Sequence, residues 1–233
     1  YIAEAGSESK LGSNDIRKIF KDSFGNYWIG TRDGGISITQ FRPPKLKLLT
    51  KDFQTKSSVP DNHIRSLYPT GDMLYIGTGN NGLATLFPST NIIEHIYGTR
   101  SLDDPERRVL AQTMNSKGEL LFATRAGLRV LNPLNNQISA LPISNVSVAS
   151  APDYLQYILT DKDDNLYLAS RSYPLTRRDA VTGKWVEFPP DPQGIRGPIG
   201  DDIRHMVWGR DSLLWLATNN GLTSFNPKTQ TFK

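Results

Sequence analysis

One short run of residues occurs five times in this chain and leaves little freedom in how it folds. Two apolar residues, a small residue and a hydroxyl residue recur as Trp28-Ile29-Gly30-Thr31, Tyr75-Ile76-Gly77-Thr78, Leu121-Phe122-Ala123-Thr124, Tyr167-Leu168-Ala169-Ser170 and Trp215-Leu216-Ala217-Thr218. Successive copies start 47, 46, 46 and 48 residues apart, a register that marks a repeat architecture. Upstream of each run lies an apolar pair three residues apart: Ile16/Ile19, Ile64/Leu67, Leu155/Ile158 and Ile203/Met206, with Val109/Gln112 as the weak copy. A turn signal separates pair from run, as in Asp22-Ser23-Phe24-Gly25-Asn26. After the run come Gly34-Gly35-Ile36, Asn81-Gly82-Leu83, Ala126-Gly127-Leu128 and Asn220-Gly221-Leu222, whose glycines permit the positive φ of a tight hairpin. The fourth copy reads Ser172-Tyr173-Pro174-Leu175 there, which predicts an irregular second hairpin.

Each repeat therefore predicts a meander of four strands, A to D. In the first copy A covers about 16–20, B 27–31, C 36–41 and D 46–50. Strand B is apolar on both sides, because Trp28 and Ile29 point in opposite directions, and such a strand must be covered on both faces. Four-stranded sheets at this period meet that demand by stacking on one another about an axis. The expected fold is an all-β propeller of four-stranded antiparallel blades. Blades are expected at about 14–50, 62–98, 107–142, 153–188 and 201–233, with 1–11 as the tail of a preceding blade. Five copies leave open a five-bladed ring or membership of a larger one, for instance of seven. No amphipathic stripe of period 3.6 competes, although residues 103–110 suit one helical turn.

Composition narrows the function classes. The net charge of +4 is small and dispersed, with no Lys/Arg run and no recognition helix, so nucleic acid is not an expected partner. Cysteine is absent, which removes disulfides and thiolate metal sites and fits cytosol and periplasm equally. No apolar stretch approaches the length of a membrane span. The chain opens at Tyr1 without an initiator Met or a signal peptide, so excision from a longer protein is expected.

The pattern Leu11-x-x-Asn14-x-Ile16-x-x-Ile19-x-x-Asp22-x-x-Gly25-x-x-Trp28-Ile29-Gly30-Thr31-x-x-Gly34-Gly35-Ile36 resembles the two-component regulator propeller repeat, nearly position for position. The likeness is specific in the first copy, good in the second and fifth, and degraded in the third and fourth. It implies the periplasmic sensor region of a hybrid histidine kinase or a diguanylate cyclase. It further implies rings of seven blades, often paired, that precede a β-sandwich and a membrane span. The expected partners are a small-molecule or glycan ligand and membrane-tethered kinase or cyclase domains, with a homodimer also open.

Meander topology places the start of A, the B–C turn and the D–A link on one face, and the A–B turns on the other. The residue after the first apolar of strand A is Arg17, Arg65, Leu110, Gln156 and Arg204 in successive copies. The residue after the Thr/Ser of strand B is Arg32, Gly79, Arg125, Arg171 and Asn219. Asp15, His63, Arg108, Tyr154 and Asp202 precede strand A. Six arginines at two equivalent positions offer planar donor forks suited to carboxylate, sulfate or phosphate oxygens. The candidate ligand-binding residues are Arg17, Arg65, Arg204, Arg32, Arg125, Arg171, His63 and Tyr154. The bland alternative is that these arginines pair with neighbouring carboxylates, Arg32 with Asp33 and Arg204 with Asp202.

Other chemistry is weaker. Asp161-Lys162-Asp163-Asp164-Asn165 alternates oxygen ligands but lacks the glycine and distal glutamate of a calcium loop, and Asp and Asn are the usual residues of such a turn. His63, His95 and His205 show no metal-ligand spacing, so no metal and no cofactor are expected. There is no nucleophile elbow or phosphate-binding glycine loop, and a non-enzymatic role is expected. A lyase, which would have to draft His63 or His205, and a docking scaffold are the rivals. Trp28, Tyr75, Tyr167 and Trp215 occupy core positions rather than sugar-stacking ones. The proline-rich link from Phe188 to Pro198 suits a binding loop and a plain linker equally.

Overall fold

A computed structural model describes residues 11–39, 46–52, 58–98, 104–150, 155–171 and 173–233. The chain divides into two compact units, Tyr1–Leu110 and Ala111–Lys233. In the first unit, β1 (Ile16–Lys21), β2 (Tyr27–Thr31), β3 (Ile36–Thr39) and β4 (Leu46–Leu49) form blade I. Blade II is built from β5 (Ile64–Thr70), β6 (Met73–Thr78), β7 (Leu83–Phe87) and β8 (Ile92–Tyr97). Blade III begins at the boundary with β9 (Val109–Met114) and continues through β10 (Leu120–Thr124), β11 (Gly127–Asn132) and β12 (Gln137–Leu141). The second unit completes with blade IV, β13 (Leu155–Thr160), β14 (Leu166–Ser170), β15 (Tyr173–Arg178) and β16 (Trp185–Phe188). Blade V follows as β17 (Ile203–Trp208), β18 (Leu214–Thr218), β19 (Gly221–Asn226) and β20 (Thr231–Phe232). All five sheets are antiparallel meanders, so the chain is all-β and carries five four-stranded blades of a β-propeller. Among the described residues, helix is confined to two 3₁₀ turns, Pro105–Arg107 and Ser147–Ser150. The first is capped by the Asp104 carboxylate, which accepts from the Glu106 N–H at 2.9 Å.

Three of the four positions of the recurring run have a physical reason in the fold. Its first residue is a core anchor: Trp28, Tyr75 and Tyr167 are fully buried. The small third residue makes room for the next blade, because a methyl group on Gly30 would sit 3.1 Å from Ile64 and 3.4 Å from Leu67. The hydroxyl residue closes the B–C turn. Thr31 Oγ1 donates to the Gly35 carbonyl and accepts from Gly34 N–H, both at 3.0 Å, and Thr78, Thr124 and Thr218 repeat the arrangement. In the irregular fourth copy the β14–β15 register slips between Leu168 and Ser170, as the missing Gly there predicts.

The A–B turns of blades I and IV are each held by one carboxylate. Asp22 accepts from the N–H groups of Phe24 and Asn26, the Asn26 side chain and the Trp28 indole, all at 2.7–3.0 Å. Three blades later Asp161 accepts from Asp163, Asn165, the Asn165 side chain and the Tyr167 hydroxyl in the same geometry. Of the oxygens that suggested a calcium loop, those of Asp161 are committed to the hairpin, those of Asp164 accept from Ser116 of blade III, and Asn165 Oδ1 accepts from the Ala180 N–H. Burial alone would raise the Asp22 carboxyl, but the bonds from Trp28, Asn26 and Phe24 outweigh it and hold the group below its ordinary value of 3.8. A carboxyl held low stabilises the fold above its unfolded pKa and loses that contribution as pH falls through the native one. Thermal midpoints followed by circular dichroism from about pH 6 down to about pH 3 should therefore fall more steeply for the wild type than for Asp22→Asn. Parallel slopes would show that this network carries no charge-dependent stability.

Each unit has its own core between blade faces. In the first, Trp28 and Ile36 of blade I pack with Ile64, Leu74, Ile76 and Leu86 of blade II. In the second, Tyr167 and Ala169 of blade IV pack with Ile203, Met206, Leu216 and Phe225 of blade V. The Trp208 indole also donates to the Thr160 carbonyl at 2.8 Å across that joint. One expected core position differs: Trp215 is only partly buried, unlike its three aromatic counterparts.

Candidate ligand-binding face

A β-bulge explains why the apolar pair of strand A is three apart, when alternation along a strand would make it two. In four blades the A–B register shifts by one residue, between Ile16 and Lys18, Ile64 and Ser66, Leu155 and Tyr157, and Ile203 and His205. The extra residue lets both apolar side chains reach the same face. That residue is Arg17, Arg65, Gln156 or Arg204. A bulge re-aims its side chain away from the regular ladder, so three of the candidate arginines are delivered to the end of their blades by a backbone device.

Strand A starts and B–C turns do share that end. Arg32 N–H donates to the Asp15 carbonyl at 2.9 Å, Gly79 N–H to His63 at 2.7 Å and Asn219 N–H to Asp202 at 3.0 Å. In the first unit this gathers Arg17, Arg32, His63 and Arg65. Asp15 lies 3.0 Å from the Arg17 guanidinium and 3.7 Å from that of Arg32, which also approaches Asp33 at 3.8 Å. One carboxylate therefore serves two guanidinium groups. His63 is half-buried, and its pKa is lowered by burial first and by the Arg65 and Arg17 charges, against the opposite pull of Asp61 and Asp33. Lys18, which strand alternation and the aspartate pairing did not single out, joins this group: burial and the Arg65 charge lower its pKa too. Two buried polar atoms here lack a hydrogen-bond partner, His63 Nε2 and Asp61 Oδ2. The ring of His63 lies over Gly79, where a methyl group would come within 2.4 Å of Nδ1.

The second unit repeats the motif around Asp202. Its carboxylate lies 3.2 Å from the Arg204 guanidinium and 3.8 Å from that of Arg171, and the Arg171 and Asp202 backbones form a β-bridge. Arg125 is exposed in the two-residue turn between β10 and β11. Tyr154 lies outside the described residues. His205 packs edge-on against Tyr157, with ring centroids 5.6 Å apart. The expected pairs of Arg32 with Asp33 and Arg204 with Asp202 both form, and the two-to-one sharing at Asp15 and Asp202 was not foreseen. In the link from Phe188, the Asp191 carboxylate accepts from the N–H groups of Gln193, Ile195 and Arg196 and so holds the loop in one shape. Among the described residues no cluster of His, Asp or Glu is arranged to hold a metal ion, and no helix is long and apolar enough to cross a membrane.

Comparison with known proteins follows the same lines. Residues 10–33 match the family model described as two component regulator propeller. No curated protein sequence matches the chain. Among solved structures, the chain is similar to the extracellular domain of a protein described as a hybrid two component system from B. thetaiotaomicron. The TM-score is 0.78 at 17% identity, over 99% of this chain and 30% of the other. It is also similar to an auxiliary nutrient binding protein from Bacteroides ovatus (TM-score 0.64, 10% identity, 94% and 57% covered). A streptogramin B lyase is a third such structure (TM-score 0.68, 16% identity, 97% and 70% covered). At these identities the likeness is one of fold. The chain spans less than a third of the length of the first of these proteins. The matched segment includes β1 and β2 of blade I, and the five blades of the chain share one four-stranded antiparallel meander.

Proposed function

We propose that this chain is a non-catalytic, extracytoplasmic ligand-sensing propeller of a bacterial signal-transduction receptor. It binds a small anionic molecule or anionic glycan fragment on the face made by strand A starts and B–C turns. The observation that carries this reading is the bulge-borne cluster of the first unit. Four cationic side chains, Arg17, Lys18, Arg32 and Arg65, gather there with the carboxylates of Asp15, Asp33 and Asp61. Burial first and the neighbouring Arg65 charge second lower the pKa values of Lys18 and His63, and cations crowded in this way gain from an anion among them. The resemblance to extracellular receptor and nutrient-binding domains supports a sensing role, with membrane-tethered kinase or cyclase domains as the downstream partners. At His63 a lyase is disfavoured, because its Nε2 is shielded from solvent.

The test is calorimetric titration of the chain with inorganic sulfate, a sulfated disaccharide, an oligogalacturonate and a neutral glucan of equal length. At least one anionic probe should bind and the neutral one should not. Charge-assisted hydrogen bonds contribute about 1.5–3 kcal/mol each, so Arg17→Ala/Arg65→Ala should weaken binding by at least about tenfold. Binding of no anionic probe, or equal affinity in the variant, overturns the proposal. A stable dimer without any ligand would then favour the docking scaffold.

A further inference from the structure

In the second unit a cleft of about 370 Å³ opens between blades IV and V, among their A–B turns and the C–D turn of blade V. Its size falls in the range of about 300–1,000 Å³ usual for ligand pockets. Trp208 lines it with its indole N–H already donated to the Thr160 carbonyl at 2.8 Å, so the side chain offers ring surface rather than a donor. Leu213 adds a second apolar contact. Asp161 also lines the cleft, but its carboxylate is held by the donors of its own turn. Four further charged residues complete the wall: Lys162 and Asp163 from blade IV, Asp211 and Lys228 from blade V. Lys162 and Asp163 pair with each other at 2.8 Å. One oxygen of Asp211 accepts from the Leu213 N–H at 3.1 Å. Its other oxygen and the Lys228 ammonium have no partner among the described residues.

The repeat does not require these charges. A cleft lies at the equivalent place between blades I and II, and the positions of Lys162, Asp163, Asp211 and Lys228 are there Ser23, Phe24, Gly71 and Ser89. Blade V departs from the repeat in a second way. Gly209 stands where Asp22 and Asp161 hold the turns of blades I and IV, although the backbone turn is the same: Gly209 N–H donates to the Leu213 carbonyl at 2.9 Å, as Asp161 N–H does to Asn165 at 3.0 Å. The Trp215 indole thus lacks the carboxylate that Asp22 gives Trp28. Asp211 occupies the vacated space, since a methyl group on Gly209 would lie 2.3 Å from Asp211 Oδ1 and 2.7 Å from Trp215 Nε1. A carboxylate beside an indole suits an organic ammonium. We propose that this cleft binds a free α-amino acid with an aromatic side chain. Its ammonium meets Asp211, its carboxylate meets Lys228, and its ring lies on Trp208 and Leu213. A ligand with a single charge would leave Lys228 or Asp211 unmatched. The site is on the A–B turn face and is independent of the anion-binding face at the other end of the strands.

Calorimetric titration of the chain with L-phenylalanine, phenethylamine and hydrocinnamate separates the parts of the site. Phenylalanine should bind. Each analogue keeps the ring and one charge, and should bind at least about tenfold more weakly, the effect of losing one charge-assisted hydrogen bond. Lys228→Ala and Asp211→Asn both lie at exposed positions, and the asparagine keeps the oxygen that accepts from Leu213. Lys228→Ala should bring phenylalanine down to the affinity of phenethylamine and leave phenethylamine unchanged. Asp211→Asn should bring it down to the affinity of hydrocinnamate and leave hydrocinnamate unchanged. No binding of phenylalanine, an analogue that binds as tightly as phenylalanine, or an affinity unmoved in either variant overturns the proposal.

Discussion

Replacing Trp28 by alanine is expected to lower the unfolding free energy by about 3–5 kcal/mol, the range for emptying a buried large aromatic site. The indole is 2% exposed and sits in the core shared by blades I and II. Its N–H also donates to Asp22 at 3.0 Å and so ties the strand to the A–B turn. Domains of this size are stable by only about 5–15 kcal/mol, so the loss is a large fraction of the whole. Trp28→Phe separates the two contributions. It retains most of the ring volume and removes the hydrogen bond, which contributes about 1.5–3 kcal/mol when its acceptor is charged. Urea unfolding of the three proteins measures both. Equal losses for Ala and Phe would show that the hydrogen bond, rather than the burial, anchors the strand.

The second large effect concerns the B–C turn of blade II. Gly82 has φ +71°, and a methyl group there would lie 1.7 Å from the Tyr97 carbonyl oxygen, 2.7 Å from its carbon and 2.9 Å from the Gly98 Cα, all backbone atoms of β8 and the link after it. Its N–H donates to the Arg107 carbonyl at 2.6 Å, so the turn cannot shift without losing that bond. Gly82→Ala should therefore cost well over the about 1–2 kcal/mol of a left-handed residue alone, with backbone displacement adding to it. Gly25→Ala is the control. Its φ is +85°, but nothing lies within 4 Å of the added methyl, so it should cost only the conformational part. The same urea series reads both variants, and equal costs would mean that the close approach at Tyr97 is relieved without energetic consequence.

Both predictions depend on features that differ in how far the chain announces them. The four-stranded blade is legible because its causes are local and repeated. A two-sided apolar strand B, turn residues on either side and a glycine after strand B recur at one period, and each specifies the same hairpin. The aromatic at the head of the run is legible as core for the same reason. The strand A bulge is less so. An apolar pair at i and i+3 is compatible with one turn of helix as well as with a bulged strand, and only the pairing with β2, β6, β14 and β18 decides for the bulge.

The candidate face was legible in part. Arg17, Arg65 and Arg204 stand out by position, and Arg32, Arg125 and Arg171 by a second position. The sharing of Asp15 with Arg32 and of Asp202 with Arg171 depends on strand ends that are 17 and 31 residues apart in sequence. Lys18 was passed over because a lysine beside a bulge resembles any solvated charge. Its depressed pKa arises from burial against blade II and the charge of Arg65, a residue of the next blade.

The order of residues by itself determined the five repeats, the strand order within each and the turn chemistry, because those follow from hydrogen-bonding patterns and apolar alternation within some 47 consecutive positions. Only the tertiary structure decided which charges meet and which histidine nitrogen is shut from water. Those properties belong to surfaces of different repeats brought into contact, and a repeat that is equivalent in sequence at every copy is not equivalent in its neighbours.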